Sequence, residues 1–326
     1  MMSACMTLRL NSIRRFLAVV AITMIIVVPV QAASQAAMAN AEKMEFEVAS
    51  VKQNKAEPSE KNPPDSNFPL GPGDAYTKTG GLFTATNMQL IEYIQFAFKV
   101  TPNQAQALQA HLPSWVNSER FDIHARAEGE PTKDQMRLMV RSVLEERFKM
   151  VWHRETQQVS VFALTMAKPG MFGPMLQLHP ADAVCSISFA TPRGEDAVPP
   201  PPPTTPDGKF PTVCDRLVGV PPSKPGNSRI GGRNVSMALI ASTLKFTGNL
   251  DRAVLDQTGL KGTYDFSLEF TRESQGAPPP GGNPMQEDEG LTFPQALKEQ
   301  MGLKLGSTKG PLEVLVIDHI EKPSEN

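Results

Sequence analysis

Charge of one sign, cysteine and histidine are what this sequence has little of. Lys plus Arg total 32 against 34 Asp plus Glu, a formal net charge of −2 over 326 residues. A nucleic-acid footprint needs a basic excess, so that class of partner is argued against. Three Cys and five His rule out a disulfide-dense scaffold and leave few ligands for a metal protein. No His-Glu-x-x-His, Gly-x-Ser-x-Gly or P-loop pattern occurs, so neither metal nor cofactor is expected. What is present is a 40% hydrophobic and 20% charged composition, sufficient for a packed core, and enough chain for two ordinary domains. Thirty prolines are the one unusual count, and they are clustered.

The first 39 residues read as a signal peptide. Arg9, Arg14 and Arg15 precede the apolar run Phe16 to Val30, and small residues follow, with Val30-Gln31-Ala32 and Ala37-Met38-Ala39 as cleavage candidates. Fifteen helical residues reach roughly 22 Å, short of the roughly 30 Å hydrocarbon core. Removing residues 1–39 takes three Arg and no acid, leaving 29 basic and 34 acidic residues, a net charge of −5. No second apolar stretch is long enough to span a membrane, so a periplasmic or secreted protein is expected. Cys5 leaves with the signal. Cys185 and Cys214 remain as an even pair in an oxidising compartment, bracketing the run Pro199 to Pro203, and are expected to form a disulfide. Closing about 30 residues is worth roughly 3–4 kcal/mol in the chain-entropy model.

The remainder repeats itself. Met88-Gln89-Leu90-Ile91 recurs as Met237-Ala238-Leu239-Ile240, each opening an amphipathic helix, with Asn87 and Ser236 as N-caps and Gly248 as a stop. Arg120 to Ala125 and Thr263 to Leu268 alternate as half-buried strands. Thr132-x-x-Gln135 and Thr292-x-x-Gln295 are capping boxes for a second helix in each half. Two closing strands then follow in each: Lys149 to His153 with Val159 to Ala167, and Leu303 to Leu305 with Leu312 to Ile320. The expected fold is α+β, two diverged β-α-β-α-β-β repeats packed as two lobes. The first covers 40–180 and has an extra leading strand at Glu45 to Lys52. A proline-rich, disulfide-closed insertion spans 181–225. The second repeat covers 226–326 with a mobile loop at 275–290.

Five residues stand out as candidate ligand-binding positions. Trp115 is one of two tryptophans and sits at a loop before a strand. His153 shares a strand face with Glu155, whereas adjacent Asp318 and His319 point to opposite faces. Asp256, Gly259 and Gly262 belong to the densest polar and glycine run, where the glycines suit positive φ and Asp256 suits closing a turn on backbone amides. Ser242-x-x-Lys245 and Lys78-Thr79-Gly80 are the fragments nearest to a serine-nucleophile signature. Their chain order is the reverse of penicillin-recognising enzymes, so no catalytic residue is assigned.

Phe46 to Lys52 (FEVASVK), Leu144 to Lys149 (LEERFK), Asp256 to Phe266 (DQTGLKGTYDF) and Gly302 to Leu305 leading to Val316 to His319 (GLKL…VIDH) together resemble a secreted family of unknown function abundant in soil acidobacteria. Some of its members look fused to sensor-type membrane metallopeptidases, which implies a sensing or binding role outside the cytoplasm. Each half also resembles the short N-terminal module of secretins and TonB-dependent receptors, which packs against protein partners. The expected function is non-catalytic binding of a protein or peptide segment or a cell-envelope component, by strand addition at a sheet edge. The alternatives are a hydrolase or transferase with a site between the repeats, and a structural envelope protein.

Overall fold

The computed structural model describes residues 44–59, 62–74, 76, 78–109, 112–183, 204–271 and 290–324. The expected signal peptide, Cys185, Pro199 to Pro203 and residues 275–289 of the expected mobile loop lie outside them.

The first sheet is antiparallel, in the order β1-β4-β3-β2. Its strands are β1 (Val48–Asn54), β2 (Asp65–Ser66), β3 (Leu82–Gln89) and β4 (Arg120–Arg126). Between β3 and β4 come the helices α1 (Leu90–Ala97), α2 (Pro102–Gln109) and α3 (Ser114–Ser118); α4 (Lys133–Arg147) follows β4. Strand alternation sends Phe83 and Ala85 of β3, and Phe121 and Ile123 of β4, into a core shared with Tyr93, Phe96, Val140 and Phe148. α4 starts at Thr132 with the expected capping box. It buries Met136, Met139, Val140, Val143 and Leu144, the stripe its spacing predicts.

The chain continues through β5 (Val151–Met166), β6 (Leu176–Leu178), β7 (Arg216–Gly219), β8 (Asn227–Ser236), α5 (Met237–Thr247), β9 (Val254–Asp256) and β10 (Thr263–Thr271). It ends with α6 (Phe293–Ala296), which runs on as a π-helical turn, Leu297–Met301, and then β11 (Leu303–His319). The second sheet has the order β6-β10-β8-β7. β6 therefore comes from the 40–180 segment and β7 from the 181–225 segment, so both contribute strands to the sheet of the later half. Val235, Ile240, Leu244, Phe266, Leu268, Leu297 and Leu303 form its core. Mixed helix and sheet content makes the protein α+β, as expected.

Two local expectations are corrected. Asn87 is not an N-cap: α1 is capped by Gln89, in a reciprocal box with Glu92, and Asn87 lies in β3 at φ 55°. Ser236 does cap α5, accepting from the Leu239 amide at 3.3 Å, and Gly248 closes that helix. The closing strands do not pair within each half. Each is one continuous strand, and β5 pairs antiparallel with β11 from Met166↔Leu303 to Val151↔His319. Glu155-Thr156-Gln157-Gln158 contains none of the residues that favour a turn, so β5 runs straight through. Gly306 to Pro311 stays extended because β5 lies alongside. β9 adds to the other side of β5 in parallel.

Both sheets irregularly register where a helix follows a strand. Asn87 has φ 55° and donates its amide to Asp122 Oδ1 at 2.7 Å; Asn234 has φ 54° and donates its amide to Asp265 Oδ1 at 3.1 Å. The β3–β4 register shifts between Ala85 and Met88, and the β8–β10 register between Tyr264 and Phe266. A buried side chain of the earlier half also bonds a strand of the later one. Asn103 of α2 donates to the Val254 carbonyl at 2.7 Å and accepts from the Val254 amide at 3.1 Å. β9 turns its Ala253 carbonyl to β5, so the groups of Val254 face Asn103.

Candidate functional site: the open edge of the first sheet

A sheet edge offers unpaired amides and carbonyls to any extended chain, and proteins usually blunt such edges. Among the described residues most edges here are short or covered. β2 has two residues, β6 three and β7 four. The outer side of β9 is occupied by Asn103. β11 is long, but it carries Lys304, Lys309 and Pro311, which lacks an amide, and Gln104 of α2 donates to its Glu313 carbonyl at 2.9 Å. β1 is different: seven residues, one lysine and no proline, paired with β4 on one side and terminal in the sheet.

A groove of about 1000 Å³ runs beside β1, lined by Ser50 to Ala56, by Glu119, Phe121 and Asp122, and by Lys322 to Ser324 of the C-terminal tail. A smaller hollow of about 290 Å³ adjoins it at Val51 and Lys322, bounded by Glu146, Arg147 and Lys149. The tail is fixed where it enters, since the Glu321 amide donates to the Phe148 carbonyl at 2.7 Å. Glu119 joins the two walls: it accepts from Gln53 Nε2 at 3.0 Å and from Lys322 Nζ at 2.5 Å. Asn54 Nδ2 donates to Asp122 Oδ1 at 2.9 Å, tying the end of β1 to the Asn87 bulge.

The five candidate residues do not converge. Trp115 lies on α3, half-buried against the first core, with the Lys322 ammonium 5.7 Å from its ring centre, so it supports the groove's rim. His153 lies on β5, half-exposed, its Nδ1 2.9 Å from Asp318 Oδ2. The ladder shifts register between Ile317 and His319, at Asp318. This hydrogen bond holds the imidazole above its ordinary pKa. Asp256 closes its own turn, accepting from the Thr258 amide at 2.9 Å and hydroxyl at 2.7 Å. Gly259 and Gly262 follow at φ 73° and 89°, the left-handed backbone expected of them. The loop of Asp256, Gly259 and Gly262 is thus accounted for by local geometry.

The catalytic alternatives fare no better geometrically. Ser242 is buried and donates to the Leu239 carbonyl at 2.9 Å, while Lys245 reaches Gln106 at 2.5 Å, so the two are engaged separately. A buried His179–Asp265 pair at 2.6 Å resembles two members of a triad. Asp265, however, has the same task as Asp122, holding the bulge amide of an asparagine, and Arg233 also contacts it at 3.4 Å. Among the described residues no three His, Cys, Asp or Glu gather to hold a metal ion, and no helix is long and apolar enough to cross a membrane.

Fold and site together define an α+β protein with an open-edged sheet and an adjoining groove. The family model for proteins of unknown function called DUF3738 matches residues 91–320, and the chain belongs to that family. The match contains the LEERFK, DQTGLKGTYDF and GLKL…VIDH segments and starts after FEVASVK, so β1 precedes it. No curated protein and no solved structure matches the chain.

Proposed function

We propose that this is an exported, non-catalytic binding protein that takes an extended segment of a partner protein of the cell envelope as an added strand along β1. The observation that carries this reading is the seven-residue edge of β1, which no strand among the described residues covers, facing a groove of about 1000 Å³. The N-terminal pattern supports export, with residues 1–39 as the leader. Burial of Cys214 at 2% exposure supports a bridge to Cys185 in an oxidising compartment. The same reading treats the chain as two copies of one unit. The Asn87–Asp122 and Asn234–Asp265 bulges support this, as do the matching sheet orders and the two Thr-x-x-Gln boxes. Aligned on those bulges, Phe121 matches Tyr264, but Met88 matches Val235 and Met237 matches Leu90, two residues off the register the sequence suggests.

Photocrosslinking in the native cell tests the site. A photoreactive residue at Ser50 or Lys52 of β1 should yield a discrete adduct, and one at Gln177 of β6 should not. Equal adducts from both positions, or none from β1, would overturn strand addition there.

A further inference from the structure

Lys322 of the C-terminal tail fills a cation position built into the wall of the β1 groove. Trp115 of α3 and Glu119, which ends that helix, form the position. The Glu119 amide donates to the Trp115 carbonyl at 2.8 Å, so one helical turn separates the two side chains and sets them on the same side. The Glu119 carbonyl accepts the Leu90 amide at 3.3 Å, which fixes this turn against the start of α1. Gln53 of β1 donates to Glu119 Oε2 at 3.0 Å, orienting the carboxylate and leaving Oε1 for a cation. The Lys322 ammonium pairs with Oε1 and lies 5.7 Å from the centre of the Trp115 ring. A carboxylate oxygen and an aromatic face are the two groups that favour an ammonium or a guanidinium.

Resting on the strand-addition reading above, we propose that the segment added along β1 carries a lysine or arginine that displaces Lys322 from Glu119 and Trp115. The tail is then the groove's internal competitor. Lys322 is held loosely enough for that: its side chain is 54% exposed against 23% for Glu119, and an exposed ion pair contributes little to stability. Among the described residues the Glu321 amide is the tail's last backbone anchor, and Pro323 has no amide to give. Lys322 can therefore leave while Glu119 stays in place, fixed by Gln53 and by its own backbone. A departing Lys322 strips the half-buried carboxylate of its cation, and a basic side chain of the partner restores it. The distance suits an added strand. Side chains directly opposite across a strand pair start roughly 4.5–5.5 Å apart, so a long basic side chain beside Gln53 reaches the carboxylate that Gln53 holds. The other charges of the groove do not take this place. Asp122 is engaged by the Asn87 amide and by Asn54, Lys52 precedes Gln53 and so faces the other side of the sheet, and Lys55 lies past the end of β1.

Two measurements test the proposal. In the full chain carrying Lys322→Ala, butylammonium should shift the Trp115 indole N–H signal in NMR saturably at constant ionic strength, and butanol should not. Adding Glu119→Gln should remove the shift, and the wild-type chain, its position filled by Lys322, should shift less. No saturable shift up to about 100 mM, an equal shift with butanol, or a shift that survives Glu119→Gln would overturn the cation position. The second measurement is photocrosslinking from Ser50 in the native cell. Lys322→Ala should raise the adduct about two- to fivefold, the range an exposed ion pair allows. Glu119→Gln added to it should cancel the gain, and the crosslinked partner segment should contain a lysine or arginine. Adducts at β1 that ignore both substitutions would leave strand addition standing and overturn the displacement of Lys322. Absence of any adduct from β1 in every variant would instead sink strand addition itself, and this inference with it.

Discussion

Replacing Asn103 by alanine should open the outer edge of β9, one of several contacts between the two halves of the chain. Its amide is 7% exposed and makes both hydrogen bonds to Val254, at 2.7 and 3.1 Å, standing in for a neighbouring strand. Alanine leaves the Val254 amide and carbonyl buried without those partners. Each unmade group costs about 1–3 kcal/mol, and the better helix propensity of alanine returns about 0.5 kcal/mol. The expected net loss is about 1.5–5.5 kcal/mol, measured as a lower urea midpoint at unchanged slope by far-UV circular dichroism. Asn103→Asp sharpens the test. Its carboxylate still accepts from the Val254 amide but sets a second oxygen against the Val254 carbonyl, and only the protonated acid can donate there. The introduced carboxyl therefore has a folded-state pKa above its unfolded value. Its stability relative to wild type should be best at low pH and decline as pH rises through the folded value. A loss below about 0.5 kcal/mol for alanine, or an aspartate variant indifferent to pH, would refute the idea that this amide closes the edge of β9.

Further outcomes are expected elsewhere. His153 should titrate above its ordinary value by NMR, and Asp318→Asn should bring it back, because the raised pKa rests first on their hydrogen bond. Any stabilisation from that pair is present below the unfolded histidine value and lost as pH rises through the folded one. Asp256→Ala removes the acceptor for the Thr258 amide and hydroxyl and should cost about 1 kcal/mol in a thermal or urea melt. Gly302→Ala should cost more, at least about 1–2 kcal/mol, since Gly302 has φ 71° and a Cβ there would meet the Met171 carbonyl oxygen at 2.7 Å. Thiol counting on unfolded, unreduced protein from the extracytoplasmic compartment should find none free, as a Cys185–Cys214 bridge requires.

What could be read from the sequence was what short stretches of chain decide for themselves. The boxes at Thr132 and Thr292, the Ser236 cap and the turn at Asp256 are contests between neighbours three residues apart or fewer, and composition settles them. Asn87 shows the limit. Asparagine suits both an N-cap and a left-handed bulge, and Asp122, 35 positions away, decides for the bulge. The exchange of strands between the halves was hidden for a similar reason: Gly306 to Pro311 has turn composition, and only β5 alongside keeps it extended. The groove was less legible still. FEVASVK marks β1 as a strand, but its wall is the tail at Lys322 to Ser324, and Glu119 joins them through Gln53 and Lys322. His153 was legible as an exposed strand residue, and its acidic partner lies 165 positions on.

The ladder between β5 and β11 also sets an order of events during synthesis. β11 begins 137 residues after β5 ends, at Leu303 against Met166. At 5–20 residues per second that is an interval of roughly 7–27 s, during which β5 waits for the last strand of the chain. A waiting edge of 16 residues is an aggregation hazard if it is apolar. The outer stretch of β5 is instead Trp152-His153-Arg154-Glu155-Thr156-Gln157-Gln158, with a single large apolar side chain. Those polar residues act as gatekeepers for the unfinished chain, guarding the strand until its partner has been made.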